Sequence, residues 1–449
     1  MITPYADINT IMPQSAIRHT LCTVTRPRIN RVVLLLSILI FAVQTARSGT
    51  IIIPMDTKQT DHLKAYGVAY WVLTRGVSVD WLLNYRGGSF AFIYDKSFES
   101  ECEIRGVKYE ILPDVQYQAI LKEIANPEVN MDIVKLEKAP KVAVYSPKSK
   151  LPWDDAVTLV LTYAEIPYDV VYDDEVLSEK LPLYDWLHLH HEDFTGQYGR
   201  FYAAFAQTEW YQNDVKYQES TAAKWGFKKV SELKLAVAKK IEAFVTGGGF
   251  MFAMCSATDS YDISLAAEGV DICAHQFDYD DADPNAQQRI DFTKCFAFEK
   301  FLLDMNPMNY EFSNIDATNT RNRYVSFKDD YFSLFEFSAK WDPVPSMLCQ
   351  NHTTTIKGFM GQTTAFKKEV IKSSVTIMGD CKPANEARYI HGTHGFGTWT
   401  FFGGHDPEDY EHRVGDPPTD LSLHPNSPGY RLILNNVLFP AAKKKKQKT

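Results

Sequence analysis

Three groups of residues with chemical capacity stand just past apolar stretches of this chain: His190-His191-Glu192-Asp193, Cys255, and His405-Asp406-Pro407-Glu408. A thiol, imidazoles and carboxylates gathered at one place are the raw material of nucleophilic hydrolysis or of metal binding. In the first chemistry Cys255 is the nucleophile, His405 the base that makes thiolate, and Glu408 the acid that orients the base. Backbone amides from Ser256 onward then hold a developing oxyanion. His190, His191, Glu192, Asp193, Ser256 and Asp406 are the residues expected to contact substrate, and no metal or other cofactor is called for. In the second chemistry two or three histidines and a carboxylate converge on an ion, with His190, His405, Glu408 and His412 as conceivable ligands. Glu408 and His412 share a face only if their segment is helical, which Pro407 in a first turn permits. Taken singly, each histidine reads equally well as a hydrogen-bonded structural residue, and Cys255 as a small buried hydrophobe.

The elements around Cys255 explain its place at the head of the candidates. Val230, Leu233, Val237, Ile241 and Phe244 recur at helical spacing, predicting a helix over 231–245 that stops at Gly247-Gly248-Gly249. A short apolar strand, 250–254, follows and runs into the cysteine. A nucleophile on such a strand-to-helix elbow needs small neighbours, and Ala253 and Ala257 flank it at two residues on either side.

Upstream, a strand at 142–145, a helix at 153–164, a strand at 168–172 and a strand at 186–191 alternate, which implies a parallel sheet. The expected class is therefore α/β, a doubly wound, mostly parallel, flavodoxin-like sandwich whose ligands bind at the carboxyl ends of the strands. Residues 49–138 form a first α/β segment, with strands at 50–53 and 79–85 and a helix at 61–73, either a small domain or extra strands for the following sheet. Arg86-Gly87-Gly88 reads as a turn or as an anion-binding nest. Residues 270 to about 345, acidic and aromatic (FDYDDADPNAQQ, DDYFSLFEFSAKW), interrupt the alternation as an insertion, either a lid over the site or a structural elaboration. Strands return at 373–378, 387–391 and 398–402, and a helix at 429–438 closes the domain, which spans 139–442.

Arg26, Arg28 and Arg31 precede an apolar run from Val32 to Val43, and Ala46-Arg47-Ser48 offers a cleavage site. The run falls short of the ~20 apolar residues of a spanning helix, so residues 1–48 read as an export signal, with a signal anchor as the alternative and Met12 as a candidate start. Localisation is then periplasmic or otherwise exported. A net charge of −9 and 13% aromatic residues point away from disorder and from nucleic-acid partners. The lysines at 443–446 form a basic tail, solvated or directed at anionic surfaces. Of seven cysteines, Cys22 would leave with the signal. The remainder show no CxxC, so neither a disulfide scaffold nor a structural zinc site is expected.

The runs GGGFMFAMCSATDSYD and GFGTWTFFGGHDPEDYEH resemble the glycine-rich elbow and the late strand of the ThuA-like branch of the class I glutamine-amidotransferase-like superfamily. The resemblance extends discontinuously over residues 140–442. ThuA-like proteins commonly carry histidine where Cys255 stands, whereas class I amidotransferases place their nucleophilic cysteine there. With LLNYRGGSF and NSPGYRLILNNVLFPAAKKKKQK the chain also resembles exported bacterial proteins that carry the name asparagine synthetase B. It has neither the amino-terminal cysteine glutaminase nor the phosphate loop that such a synthetase combines. The resemblance implies an exported hydrolase cleaving an amide or a sugar-derived small molecule at Cys255, His405 and Glu408. Its alternatives are a metal-assisted enzyme acting on carbohydrate and a non-catalytic protein with cell-envelope partners.

Overall fold

A computed structural model describes residues 49–147, 152–318, 325–326, 328–411 and 413–443. The chain divides into two units, Met1–Arg47 and Ser48–Thr449, and the described residues belong to the second. The signal expected over 1–48, His412 and the lysines after Lys443 lie outside the described residues.

The front segment builds its own antiparallel sheet from β1 (Gly49–Ile53), β2 (Val79–Leu83), β3 (Ser89–Ile93), β4 (Glu110–Pro113) and β5 (Asp132–Leu136), in the order β4-β1-β3-β2-β5. It adds no strand to the second sheet. Alternation along these strands sends Ile51, Ile53, Trp81, Phe90 and Phe92 inward, while Ile52, Leu82 and Ala91 pack outward against Tyr117 and Ile124 of an outer helix, Asp114–Ile124. Arg86-Gly87-Gly88 is a tight turn. Its arginine is paired with Asp56 and Glu110, and the Gly87 carbonyl accepts from Arg431, so the turn is packed and not an open nest.

Among the described residues the second sheet contains ten strands: β6 (Val142–Tyr145), β7 (Asp169–Val171), β8 (Trp186–Leu189), β9 (Phe250–Met254), β10 (Tyr331–Leu334), β11 (Thr355–Lys357), β12 (Phe366–Lys367), β13 (Thr376–Cys381), β14 (Glu386–His394) and β15 (Gly397–Phe402). Its order is β11-β10-β13-β14-β15-β9-β8-β6-β7, with β12 on β14. From β7 to β15 neighbouring strands are parallel; beyond β15 every pairing is antiparallel. The α/β class holds, but the sheet is mixed and not mostly parallel, because hairpin-linked strands extend it past β15. One of them, β10, comes from the segment expected as an insertion.

Between the two sheets lie α1 (His62–Thr74), α2 (Ala156–Tyr163) and, from the end of the chain, α5 (Pro428–Leu438). Helix α1 is apolar nearly all round, as a helix sandwiched between layers must be. Gly67 lets it close on the turn after α2, since a Cβ there would meet the Ala164 carbonyl oxygen at 1.9 Å. On the far face α3 (Val230–Thr246) and α4 (Ala257–Ala266) cover Ala143, Tyr145, Leu187, Leu189, Met251 and Ala253. No helix among the described residues is long and apolar enough to cross a membrane.

Candidate functional site

The parallel strands deliver the three sequence groups to one edge, and backbone hydrogen bonds lock them together. At the end of β9, Cys255 takes a left-handed conformation (φ 52°) between strand and α4, at a cost of about 1–3 kcal/mol for a residue with a Cβ. Its N–H donates to the Gly404 carbonyl beyond β15 (3.1 Å), and the Ala257 N–H donates to the His190 carbonyl beyond β8 (2.9 Å). Gly404 is itself at φ 105°, a conformation glycine supplies without strain. A crossing loop, 359–364, seals the arrangement, with the His405 N–H donating to Met360 (2.8 Å) and the Gln362 N–H to the Cys255 sulfur (3.3 Å).

A cavity of about 480 Å³ opens at this edge, lined by Cys255, His191 and His405 together with Trp153, Phe201 and Tyr310 among others. Met308, Asn309 and Glu311 also line it, so the segment expected as lid or elaboration supplies a wall as well as a strand. The lobe is anchored by Asp262 of α4, whose carboxylate accepts the N–H groups of Phe296, Ala297 and Phe298 at 2.7–2.9 Å.

Three imidazoles meet beside the cavity. His190 stacks on His405 with ring centroids 4.2 Å apart, and His191 lies 4.6 Å from His190 and 5.5 Å from His405. One nitrogen from each ring falls within 4.8 Å of the other two. Behind them stands Asp155, the N-cap of α2: its Oδ1 accepts the N–H groups of Val157 and Thr158, which frees Oδ2 to face His190 Nδ1 at 3.2 Å and His188 Nε2 at 3.3 Å. Burial works against ionising Asp155, yet His190 and His188 together hold its carboxyl well below the usual range. His405 Nε2 lies 3.1 Å from the Asp154 carbonyl oxygen. A carbonyl only accepts, so the proton sits on Nε2 and the lone pair on Nδ1.

Burial pushes the Cys255 thiol up to about 11, although N–H groups of Gln362, Ser256 and Thr363 donate toward the sulfur. At neutral pH it is a protonated thiol in a nest of amides. The third member expected of a thiol site lies elsewhere: the Glu408 carboxylate faces His424 at 3.2 Å, and the group beside His405 is Asp154, through its carbonyl and a carboxylate oxygen at 4.0 Å. Two residues separate His405 from Glu408, and Asp406 turns the chain there by accepting the Glu408 N–H.

Glu192 and Asp193 do not line the cavity. Glu192 reaches the opposite layer, where Tyr172 donates to it, and Asp193 accepts from the N–H groups of Thr195, Gln197 and Gly199 to shape the loop after β8. Ser256 is fully buried, and Asp406 lies 1% exposed near Asp154. The sequence reading passed over His188, Asp154, Asp155 and Gln362. His188 was within reach of that reading, because alternation along the strand expected over 186–191 puts it on the same side as His190. Asp154-Asp155 carried the other available signal, a pair of acids opening a helix at the same rim.

No family model matches the chain, and neither does any curated protein. Among solved structures it is similar to two cytoplasmic proteins from Salmonella typhimurium, at 10% and 11% identity and TM-scores of 0.33 and 0.32, each match covering 68% of this chain and 100% of the other. A GH42 beta-galactosidase from G. stearothermophilus matches 59% of this chain and 27% of its own at 11% identity and a TM-score of 0.25.

Proposed function

We propose that this protein hydrolyses a small amide or sugar-derived molecule in the cavity at the carboxyl edge of β8, β9 and β15, with water activated at the His190, His191 and His405 cluster. The observation that carries this reading is the convergence of those rings, from two separate stretches of sequence, next to a cavity of ligand size. In this reading Asp155 fixes the ring of His190, and the Asp154 carbonyl selects the His405 tautomer whose Nδ1 accepts a proton. Trp153, Phe201 and Tyr310 offer flat apolar faces to the substrate. The strand order β7-β6-β8-β9-β15, with helices on both faces, supports assigning the parallel half to the flavodoxin-like class, whose ligands bind at this edge. The two glycine-rich motifs support placing the protein in the ThuA-like branch, and residues 26–48 support export.

A second reading, in which Cys255 attacks the substrate, is favoured by the left-handed backbone at the cysteine, the conformation of a nucleophile elbow. One experiment separates the two. The full chain is screened against chromogenic amides, esters and glycosides, and the best substrate is tested with His405→Gln, with Cys255→Ser and after iodoacetamide. Imidazole-centred hydrolysis predicts at least a tenfold fall with His405→Gln, on the order of what general-base catalysis supplies, and turnover retained in Cys255→Ser. Loss with Cys255→Ser and with alkylation hands the chemistry to the thiol. If folded protein turns over nothing in the panel, the hydrolytic reading fails and a binding role in the cell envelope takes its place.

A further inference from the structure

We infer that His190, His191 and His405 bind one divalent transition-metal ion, zinc foremost, leaving a coordination position open toward the cavity. The inference refines the hydrolytic reading by making a bound ion, in place of the free Nδ1 of His405 as base, what activates the water, and it rests on that reading only for this role. Three observations carry it. The first is the donor set: one nitrogen from each ring lies within 4.8 Å of the others. Zinc–nitrogen bonds of about 2.0–2.1 Å at tetrahedral angles need donors about 3.4 Å apart, so His190 and His405 must turn out of their stacked arrangement to complete the set. Three imidazoles and an open fourth position are the pattern of a catalytic zinc site.

The second is the orientation of His190. Its ring is 1% exposed, its Nδ1 lies 3.2 Å from an Asp155 carboxylate oxygen, and neither ring nitrogen makes an aligned hydrogen bond among the described residues. A buried ring nitrogen left without a partner costs free energy unless something binds it. A carboxylate this close to Nδ1 favours the proton there and leaves the Nε2 lone pair for an ion, the carboxylate–histidine–metal arrangement that orients ligands in metalloenzymes.

The third is charge. Asp155 approaches His190 to 3.2 Å and Asp154 approaches His405 to 4.0 Å, their side chains 11% and 15% exposed, and among the described residues neither pairs with a lysine or arginine. Carboxylates withdrawn from water require compensating positive charge. An ion of charge +2 among neutral imidazoles supplies it, and an all-nitrogen donor set favours zinc, cobalt or nickel over magnesium or calcium.

The test uses the full chain without a histidine tag, stripped by chelator and titrated with Zn²⁺ or Co²⁺ by calorimetry and visible absorption. The expected result is one ion per chain, no stoichiometric binding in His190→Gln, and binding weakened ~10–100-fold in Asp155→Asn, the usual effect of removing an outer-shell carboxylate. His191→Asn, at a half-exposed position, gives the same loss should His190→Gln fail to fold by circular dichroism. Cys255→Ser binds as the native chain does. Absence of stoichiometric uptake by the native chain, or uptake unchanged in both folded histidine variants, overturns the site. A chain that takes up the ion yet hydrolyses nothing keeps the site and loses the hydrolytic reading. Hydrolysis undiminished by chelation, with no uptake, does the reverse.

Discussion

Replacing Arg388 by Met is expected to lower unfolding free energy by about 3–5 kcal/mol, the loss seen when one partner of a buried ion pair is removed. Arg388, on β14, and Asp330, just before β10, are both 0% exposed as side chains and meet at 3.1 and 3.2 Å. The same guanidinium donates to the carbonyls of Phe359 and Thr364 at 2.9 and 2.7 Å, spanning the two ends of the loop that carries Met360 and Gln362 to His405 and Cys255. Methionine fills much of the volume but returns none of these donors, and the buried contact between Arg388 and Asp330 is lost. Arg388→Met, Asp330→Asn together should recover part of the loss, because exchanging a whole buried pair is far cheaper than halving it. Urea unfolding of the single and double variants measures both. A single-variant loss below about 0.5 kcal/mol, within the range of an ordinary surface change, would show that the pair does not hold the loop.

That pair also marks where sequence stopped being informative. The parallel half was legible because its signals are local: β6, β8, β9 and β15 are short apolar runs ending in polar residues, and α3 follows a clean helical repeat, observed over Val230–Thr246 against 231–245 expected. The Cys255 elbow was legible for the same reason. In the antiparallel half β13 and β14 were expected, at 373–378 and 387–391, but β10 was not, since it is four residues within an aromatic, acidic stretch and its partners, Asp380 and Gly379 on one side and the Thr355–Lys357 strand on the other, follow it by tens of residues. Nothing local in DDYFSLFEF separates a sheet strand from a lid.

The site divided along the same line. His190, His191, Cys255 and His405 could be placed at one rim by topology alone. Which acid serves which base could not, because Asp154 and Asp155 approach the histidines from a helix N-terminus on another connection. Glu192 and Asp193 were assigned to the rim by adjacency to His190. The strand ends at Leu189, so the alternation that would have placed them ends with it.

The turn after β8 brings Glu192 into a buried network for which the second large effect is expected. Lys234 of α3, 1% exposed, donates to both oxygens of Asp173 at 3.0 and 3.1 Å and to the hydroxyls of Tyr145 and Tyr172 at 3.2 Å, and Tyr172 donates to Glu192 at 3.0 Å. Lys234→Met strands the Asp173 charge and is expected to cost about 3–5 kcal/mol by the same reasoning as for Arg388. The network also makes stability depend on pH in a direction opposite to that of an ordinary salt-bridged acid. Burial raises the Glu192 carboxyl to about 8 even with Lys234 opposing it, and burial raises Asp259 to about 7. For both groups the folded state binds the proton more tightly than the unfolded chain does. Their contribution is therefore complete below the unfolded carboxylate value and drains away as pH rises through about 7 to 8. Urea midpoints should fall between about pH 5 and pH 8, and Glu192→Gln, which keeps the shape of the neutral acid, should flatten the upper part of that fall. Midpoints that climb steadily over this interval, or a Glu192→Gln slope equal to the native one, would mean that Glu192 is ionised in the fold and that Lys234 neutralises two carboxylates instead of one.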